Sequence, residues 1–201
     1  MNKILKRRNI KYLNYVYQEL NMQHQRGMSL LELLITIAIL GVLAGLTYSF
    51  THSTFQDNRA ESFLLELKRS VTFARAKATA SDEIVIICPA IESLLIANQD
   101  FTCTTNWKTN RIVIFLDRDN NGTYSTSSDD LLRVMEKVST NDTLNYPVAS
   151  LKFDSSGRLG NGQNGDFVYC PNGANAQNQS LSITQAGTAL YTGNTTNNCT
   201  L

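Results

Sequence analysis

One stretch constrains this chain more than any other: Met28 to Phe50 reads MSLLELLITIAILGVLAGLTYSF, 23 residues with Glu32 as the single ionisable group. At 1.5 Å per residue, a helix of this length spans the roughly 30 Å hydrocarbon core of a bilayer. The run predicts a membrane segment, and the flanking charges predict its direction. Lys3, Lys6, Arg7, Arg8, Lys11 and Arg26 against Glu19 give the first 27 residues +5, a basic flank that stays on the cytoplasmic side. The other 12 basic and 16 acidic side chains are expected outside the cytoplasm. The formal net charge of +1 therefore averages two compartments, and the acidic body disfavours nucleic acid as a partner.

Glu32 decides what kind of segment this is. A carboxylate in lipid costs at least ~2.5 kcal/mol on insertion scales, so it either snorkels to the headgroups or meets a partner. The segment is thus a cleaved signal peptide, a plain single-span anchor, or a helix whose carboxylate has a task. In the run Arg26-Gly27-Met28-Ser29-Leu30-Leu31-Glu32-Leu33, Glu32 is fifth counting from Met28, directly after a basic leader that ends in Gly27. This resembles the processing signal of type IV pilins and pseudopilins. The resemblance implies cleavage between Gly27 and Met28 by a prepilin peptidase, N-methylation of Met28, and retention of the helix as a single-pass anchor in the bacterial inner membrane. It also implies that Glu32 pairs with the terminal ammonium of a neighbouring subunit. Such a pair would fix register in a filament core, because a mis-stacked helix leaves both charges unpaired. Two departures from the pattern stand out: Met28 replaces the commoner Phe, and Ser49 stands where many pilins carry a helix-distorting Pro. The leader itself has two readings. Translation starting at Met22 would give the six-residue leader MQHQRG and make residues 1–21 an upstream extension; otherwise residues 1–27 form one long leader with a short helix over Ile10 to Leu20.

After Phe50 the pattern changes. Phe55, Phe63, Leu64, Leu67, Val71, Ala74 and Ala78 recur at three- and four-residue steps, with Arg59, Glu61, Lys68 and Lys77 between them, and no Gly or Pro interrupts from Leu46 to Asp82. This predicts one helix from Ser29 to about Ala80, its first half in lipid and its second half on a core. A coiled-coil stalk is the alternative, but the stripe is short and irregular for sustained heptads. Beyond Asp82, EIVIIC, LLIAN, RIVIFL, LLRVMEKV, LKF and ALY read as strands between Asn, Gly, Ser and Thr clusters. The expected fold class is α+β, a long helix packed on an antiparallel sheet, with residues 51–201 as one periplasmic domain. Cys88, Cys103, Cys170 and Cys199 all fall in the part placed outside the cytoplasm, where disulfides persist. Of three possible connectivities, proximity favours Cys88–Cys103 and Cys170–Cys199. Zinc would need close CxxC or His spacing, which is missing.

The order Cys88-Pro89, Cys103, Trp107, Arg111-Ile-Val-Ile-Phe-Leu-Asp117, Asn121-Gly122, Leu131-Leu132-Arg133, Phe153-Asp-Ser-Ser-Gly157-Arg158 and a late Cys170/Cys199 pair is similar to the GspH/FimT family of minor pilins and pseudopilins. That resemblance implies a pilin-like fold. It also implies a place at or near the tip of a type II secretion pseudopilus, or in priming a type IV pilus. The partners it implies are other minor and major subunits and an inner-membrane assembly platform, with no cofactor.

Four further motifs carry little weight. Gly160-Asn-Gly162-Gln-Asn-Gly165 matches GxGxxG, but a strand-like run follows where a dinucleotide site needs a helix, so a turn is expected. Asp117, Asp119 and Asn121 match the first half of a calcium loop, with Gly122 at the sharp turn. The twelfth position is Ser128 rather than Glu, although Asp129 and Asp130 lie close, and an Asn-Gly hairpin between RIVIFL and LLRV is the preferred reading. DNA uptake of the FimT type is the runner-up function, through a Gly-Arg-x-Arg motif. Gly157-Arg158-Leu159-Gly160 keeps one Arg of it, and Gly187-Thr188-Ala189-Leu190 keeps neither. Catalysis by a histidine-based triad is excluded from the folded body, since the histidines are His24 in the leader and His52 at the membrane edge.

Overall fold

The computed structural model describes residues 27–173 and 177–199, with the side chains of residues 46–54 outside that description. The leader's residues 1–26, with Met22, His24 and the expected Ile10–Leu20 helix, lie outside the described residues, and so does the His52 side chain. The chain divides into two compact units, Met1–Ser49 and Phe50–Leu201. Helix α1, Leu30–Ser81, begins in the first and ends in the second.

In the second unit α1 offers Ala60, Leu64, Leu67, Val71, Ala74 and Ala78, each completely buried. The steps alternate four and three residues, which keeps one narrow stripe on one side of the helix. Phe55 is one position out of phase with this stripe and is 66% exposed, while Gln56 takes the buried place. The expected core role of Phe55 is therefore corrected.

The strands are β1 (Ile84–Ala90), β2 (Phe101–Thr102), β3 (Arg111–Asp117), β4 (Thr123–Tyr124), β5 (Asp130–Val134), β6 (Thr143–Asn145), β7 (Leu151–Phe153), β8 (Gly165–Cys170), β9 (Gln179–Ile183) and β10 (Ala189–Asn194). They form two four-stranded antiparallel sheets, ordered β5-β3-β1-β7 and β10-β9-β8-β6, and a ribbon of β2 with β4. The fold is thus α+β with a helix on antiparallel sheet, and the expected single sheet is split in two.

Alternation in β1 and β3 explains why both read as unbroken apolar runs. Val85, Ile87, Ile112, Ile114 and Leu116 join the stripe of α1, whereas Ile86, Cys88, Ala90, Val113 and Phe115 build a second cluster with Phe101 and Tyr124. A sheet buried on both faces has no polar side to display. The second cluster lies under the loop that leaves β1 and returns at Cys103. In that loop the expected strand LLIAN is instead a short helix, α2 (Glu92–Ile96). Leu94 and Leu95 both pack against the second cluster. Adjacent residues of a strand would point to opposite faces, so the helix is the form that seats both. Asn98, in the left-handed region at φ 49°, ends it.

Candidate functional site

Three places concentrate chemistry: the start of α1, the loop after β3, and the contact between α1 and the β6–β8 region. At the start of α1, the Ser29 hydroxyl accepts the Glu32 backbone N–H at 3.2 Å, and the Ser29 carbonyl accepts the Leu33 N–H at 3.1 Å. Ser29 is therefore the N-cap and Glu32 sits in the first turn, where a carboxylate also offsets the positive end of the helix dipole. Gly27 and Met28 precede the helix and are exposed, and a side chain added at Gly27 would meet nothing within 4 Å. Among the described residues Glu32 has no ion-pair partner. Around it Leu30, Leu31, Leu33, Leu34, Ile35 and Ile37 are all at least half exposed. The expected span 28–50 runs into positions whose side chains are not described; among the described residues no helix is long and apolar enough to cross a membrane.

The loop after β3 joins the two strands expected to form an Asn-Gly hairpin, by a longer path than a tight turn. β3 and β5 do pair, but twelve residues separate them, and β4 in their midst pairs with β2. Asp117, Asp119 and Asp129 converge, with one carboxylate oxygen from each within 4.8 Å of the others. Asn121, expected as a third ligand, instead caps the turn: its N–H donates to Asp117 and its Oδ1 accepts from the Thr123 N–H at 2.7 Å. Asp117 also accepts the Gly122 N–H at 3.0 Å and faces the Lys152 ammonium at 3.6 Å. Asp129 accepts the N–H groups of Arg118 and Ser125. Burial pushes the Asp117 carboxyl above its ordinary range, against the hydrogen bonds and Lys152. These carboxylates act as internal acceptors that shape the loop, with Lys152 as the counter-charge of Asp117. Asp129, which the sequence places just past the twelfth loop position, is the third member in place of Asn121.

The third place was missed. Asp142, fully buried, accepts Arg59 Nε at 2.6 Å and Nη2 at 2.7 Å, the Tyr169 hydroxyl at 2.5 Å and the Asn172 N–H at 3.0 Å. Burial alone would raise its carboxyl, but these donors outweigh it and hold the group below the usual carboxylate range. Burial and the adjacent carboxylate push the Tyr169 phenol well up. Residues 59 and 142 are 83 positions apart, and nothing in the local pattern of either marks the pair.

Disulfides join Cys88 to Cys103 and Cys170 to Cys199. The Gly160–Gly165 segment is a turn leading into β8, as expected. The turns carrying Gly157-Arg158 and Gly187-Thr188 abut so closely that a side chain at Gly187 would lie 2.3 Å from the Gly157 carbonyl oxygen.

The family model described as type II transport protein GspH matches residues 65–187, more than half of the chain. The chain belongs to the GspH family. A second model, the prokaryotic N-terminal methylation motif, matches residues 22–48. The structure is similar to the crystal structure of the type IV minor pilin FimU of Pseudomonas aeruginosa strain PAO1. The TM-score is 0.52 at 22% identity, over 67% of this chain and 88% of that one. A second crystal form of FimU gives 0.49 at 22% identity, over 65% and 90%. No curated protein matches. The GspH-family match takes in Cys88, Cys103, the Asp117 loop, Asp142 and Cys170, while Gly27, Met28, Ser29 and Glu32 fall within the methylation motif. Membership makes the chain a pilin-like structural subunit.

Proposed function

We propose that the chain is a minor pseudopilin or pilin that works by assembly at or near the tip of a type II secretion pseudopilus or a type IV pilus. Residues 1–27 are the leader, removed between Gly27 and Met28 by a prepilin peptidase with methylation of the new terminus. Residues 28–50 anchor the chain in the inner membrane, and residues 51–201 form the periplasmic body that meets other minor and major subunits and the assembly platform. The observation that carries this is the start of α1. A methylation motif covers a helix whose large apolar side chains are exposed on every side, and a helix apolar all round is stable only with lipid or other helices about it. The two disulfides suit an oxidising compartment.

The role of Glu32 is the sharpest element. Its carboxylate offers a neighbour's terminal ammonium the one charge available in an apolar helix surface. Glu32→Ala is expected to leave leader cleavage intact and to cut recovery of the subunit in sheared filament fractions about tenfold, the effect of losing an ion pair in low dielectric. Normal cleavage with normal incorporation would remove the assembly role from Glu32.

A further inference from the structure

The chain contains four Asn-Gly steps, at 121–122, 161–162, 164–165 and 172–173. Such steps are the fastest to deamidate, because glycine leaves the following backbone nitrogen unobstructed. In the reaction the Gly nitrogen attacks Cγ of Asn, a new N–Cγ bond forms, and the Cγ–Nδ2 bond breaks. The glycine amide proton ends on the departing amine, which leaves as ammonia. Water then opens the cyclic imide at either carbonyl, giving aspartate or isoaspartate. Both the nitrogen and the side-chain amide must be free to turn toward each other.

We infer that Asn161–Gly162 is a site of spontaneous deamidation in the folded protein, reacting well ahead of Asn121–Gly122. At 121–122 every group the reaction needs is held. The Gly122 N–H donates to buried Asp117 at 3.0 Å, Asn121 Nδ2 donates to Asp119 at 2.6 Å, and Asn121 Oδ1 accepts from the Thr123 N–H at 2.7 Å and the Thr123 hydroxyl at 2.6 Å. Gly165 lies in β8, paired with Ile183, and a side chain there would touch the Pro147 ring at 3.0 Å. Asn172 and Gly173 are exposed, next to residues 174–176 that lie outside the described residues. Asn161 and Gly162 are both exposed, the Asn161 side chain makes no hydrogen bond among the described residues, and nothing lies within 4 Å of a side chain placed at Gly162.

The ends of that turn are anchored, so the change would be felt. The Gly160 carbonyl accepts from Gln185 at 3.1 Å, the Gln163 carbonyl accepts the Tyr146 hydroxyl at 2.6 Å, and Gln163 Oε1 accepts the Lys152 N–H at 2.8 Å. Deamidation adds a negative charge between these anchors, and isoaspartate adds a methylene to the backbone there.

Peptide mapping by mass spectrometry, on the purified full chain in detergent and aged at mildly alkaline pH, tests this. The acid form and its isoaspartyl isomer are expected to accumulate at 161 about tenfold or more faster than at 121, the margin set by the hydrogen bonds 121 must break. The same sample unfolded in urea should show similar rates at both steps, because only the fold separates them. Asp117→Asn should speed position 121 in the folded protein and leave 161 unchanged, and Asn161→Gln should abolish conversion at 161. Equal rates in the folded chain, faster conversion at 121, or no conversion at 161 would overturn the inference.

Discussion

The two halves of α1 are one uninterrupted helix by backbone and two different objects by side chain. From Leu30 to Leu43 the large apolar residues are exposed, up to 77% at Leu30; from Ala60 to Ala78 the stripe is wholly buried. Apolar content does not distinguish them, since the first half is the more apolar. What differs is where the partners are. The second half has its sheets in the same chain, so its burial is folding energy. Among the described residues the first half has no such cover, and under the proposed function its apolar surface serves anchoring and assembly rather than the fold.

Leu67→Ala and Ile37→Ala separate these roles most widely. Leu67→Ala, at a fully buried site, should cost about 3–4 kcal/mol in urea unfolding, and Ile37→Ala should fall within about 0.5 kcal/mol. Trp107 is the sole tryptophan and is buried against Tyr146 and Phe167, so its fluorescence reports the second unit alone. Equal losses would collapse the distinction between the halves.

A smaller effect is expected at Arg59, where the second half is tied to the sheets by charge. Arg59→Met leaves Asp142 buried with fewer donors. Because the Arg59 side chain is 40% exposed, the loss should be about 2 kcal/mol, below that of a fully buried pair. The pH dependence has a definite sign. The Asp142 carboxyl is held below its unfolded value, so its stabilisation is full above about pH 4 and fades as the pH falls through the folded value. Without Arg59 the burial effect is less opposed and the folded value rises toward the unfolded one, so Asp142 should contribute less acid loss, and the gap between wild type and Arg59→Met should narrow as the pH falls below about 4. Urea midpoints across an acid series, wild type against Arg59→Met, would show it; parallel curves would mean that Asp142 takes little from Arg59.

The smallest effect is expected at Phe55→Ser. Phe55 belongs to the second unit yet is exposed like the residues of the first, so the unfolding free energy should change by less than about 0.5 kcal/mol. A loss above about 1 kcal/mol would show that Phe55 packs on the body despite its exposure.

Much of this was legible in the sequence because it rests on short-range order. The four-and-three spacing from Ala60 to Ala78, the absence of Gly and Pro between Leu46 and Asp82, and the apolar runs around Ile86 and Ile114 set the helix and the central strands. Cys88 and Cys103, and Cys170 and Cys199, stand close enough along the chain for proximity to favour the pairs the structure forms. The run from Met28 with its one carboxylate marks the segment that the methylation-motif model matches. Three features needed the tertiary structure. LLIAN became a helix because Leu94 and Leu95 must both reach a cluster built by β1 and β3. Asp129 joined Asp117 and Asp119 because β4, pairing with β2, folds the loop back on itself. Arg59 found Asp142 across 83 residues. Periodicity and spacing are written in neighbouring residues, whereas burial, desolvation and charge pairing depend on which distant groups the packed chain brings within a few ångströms.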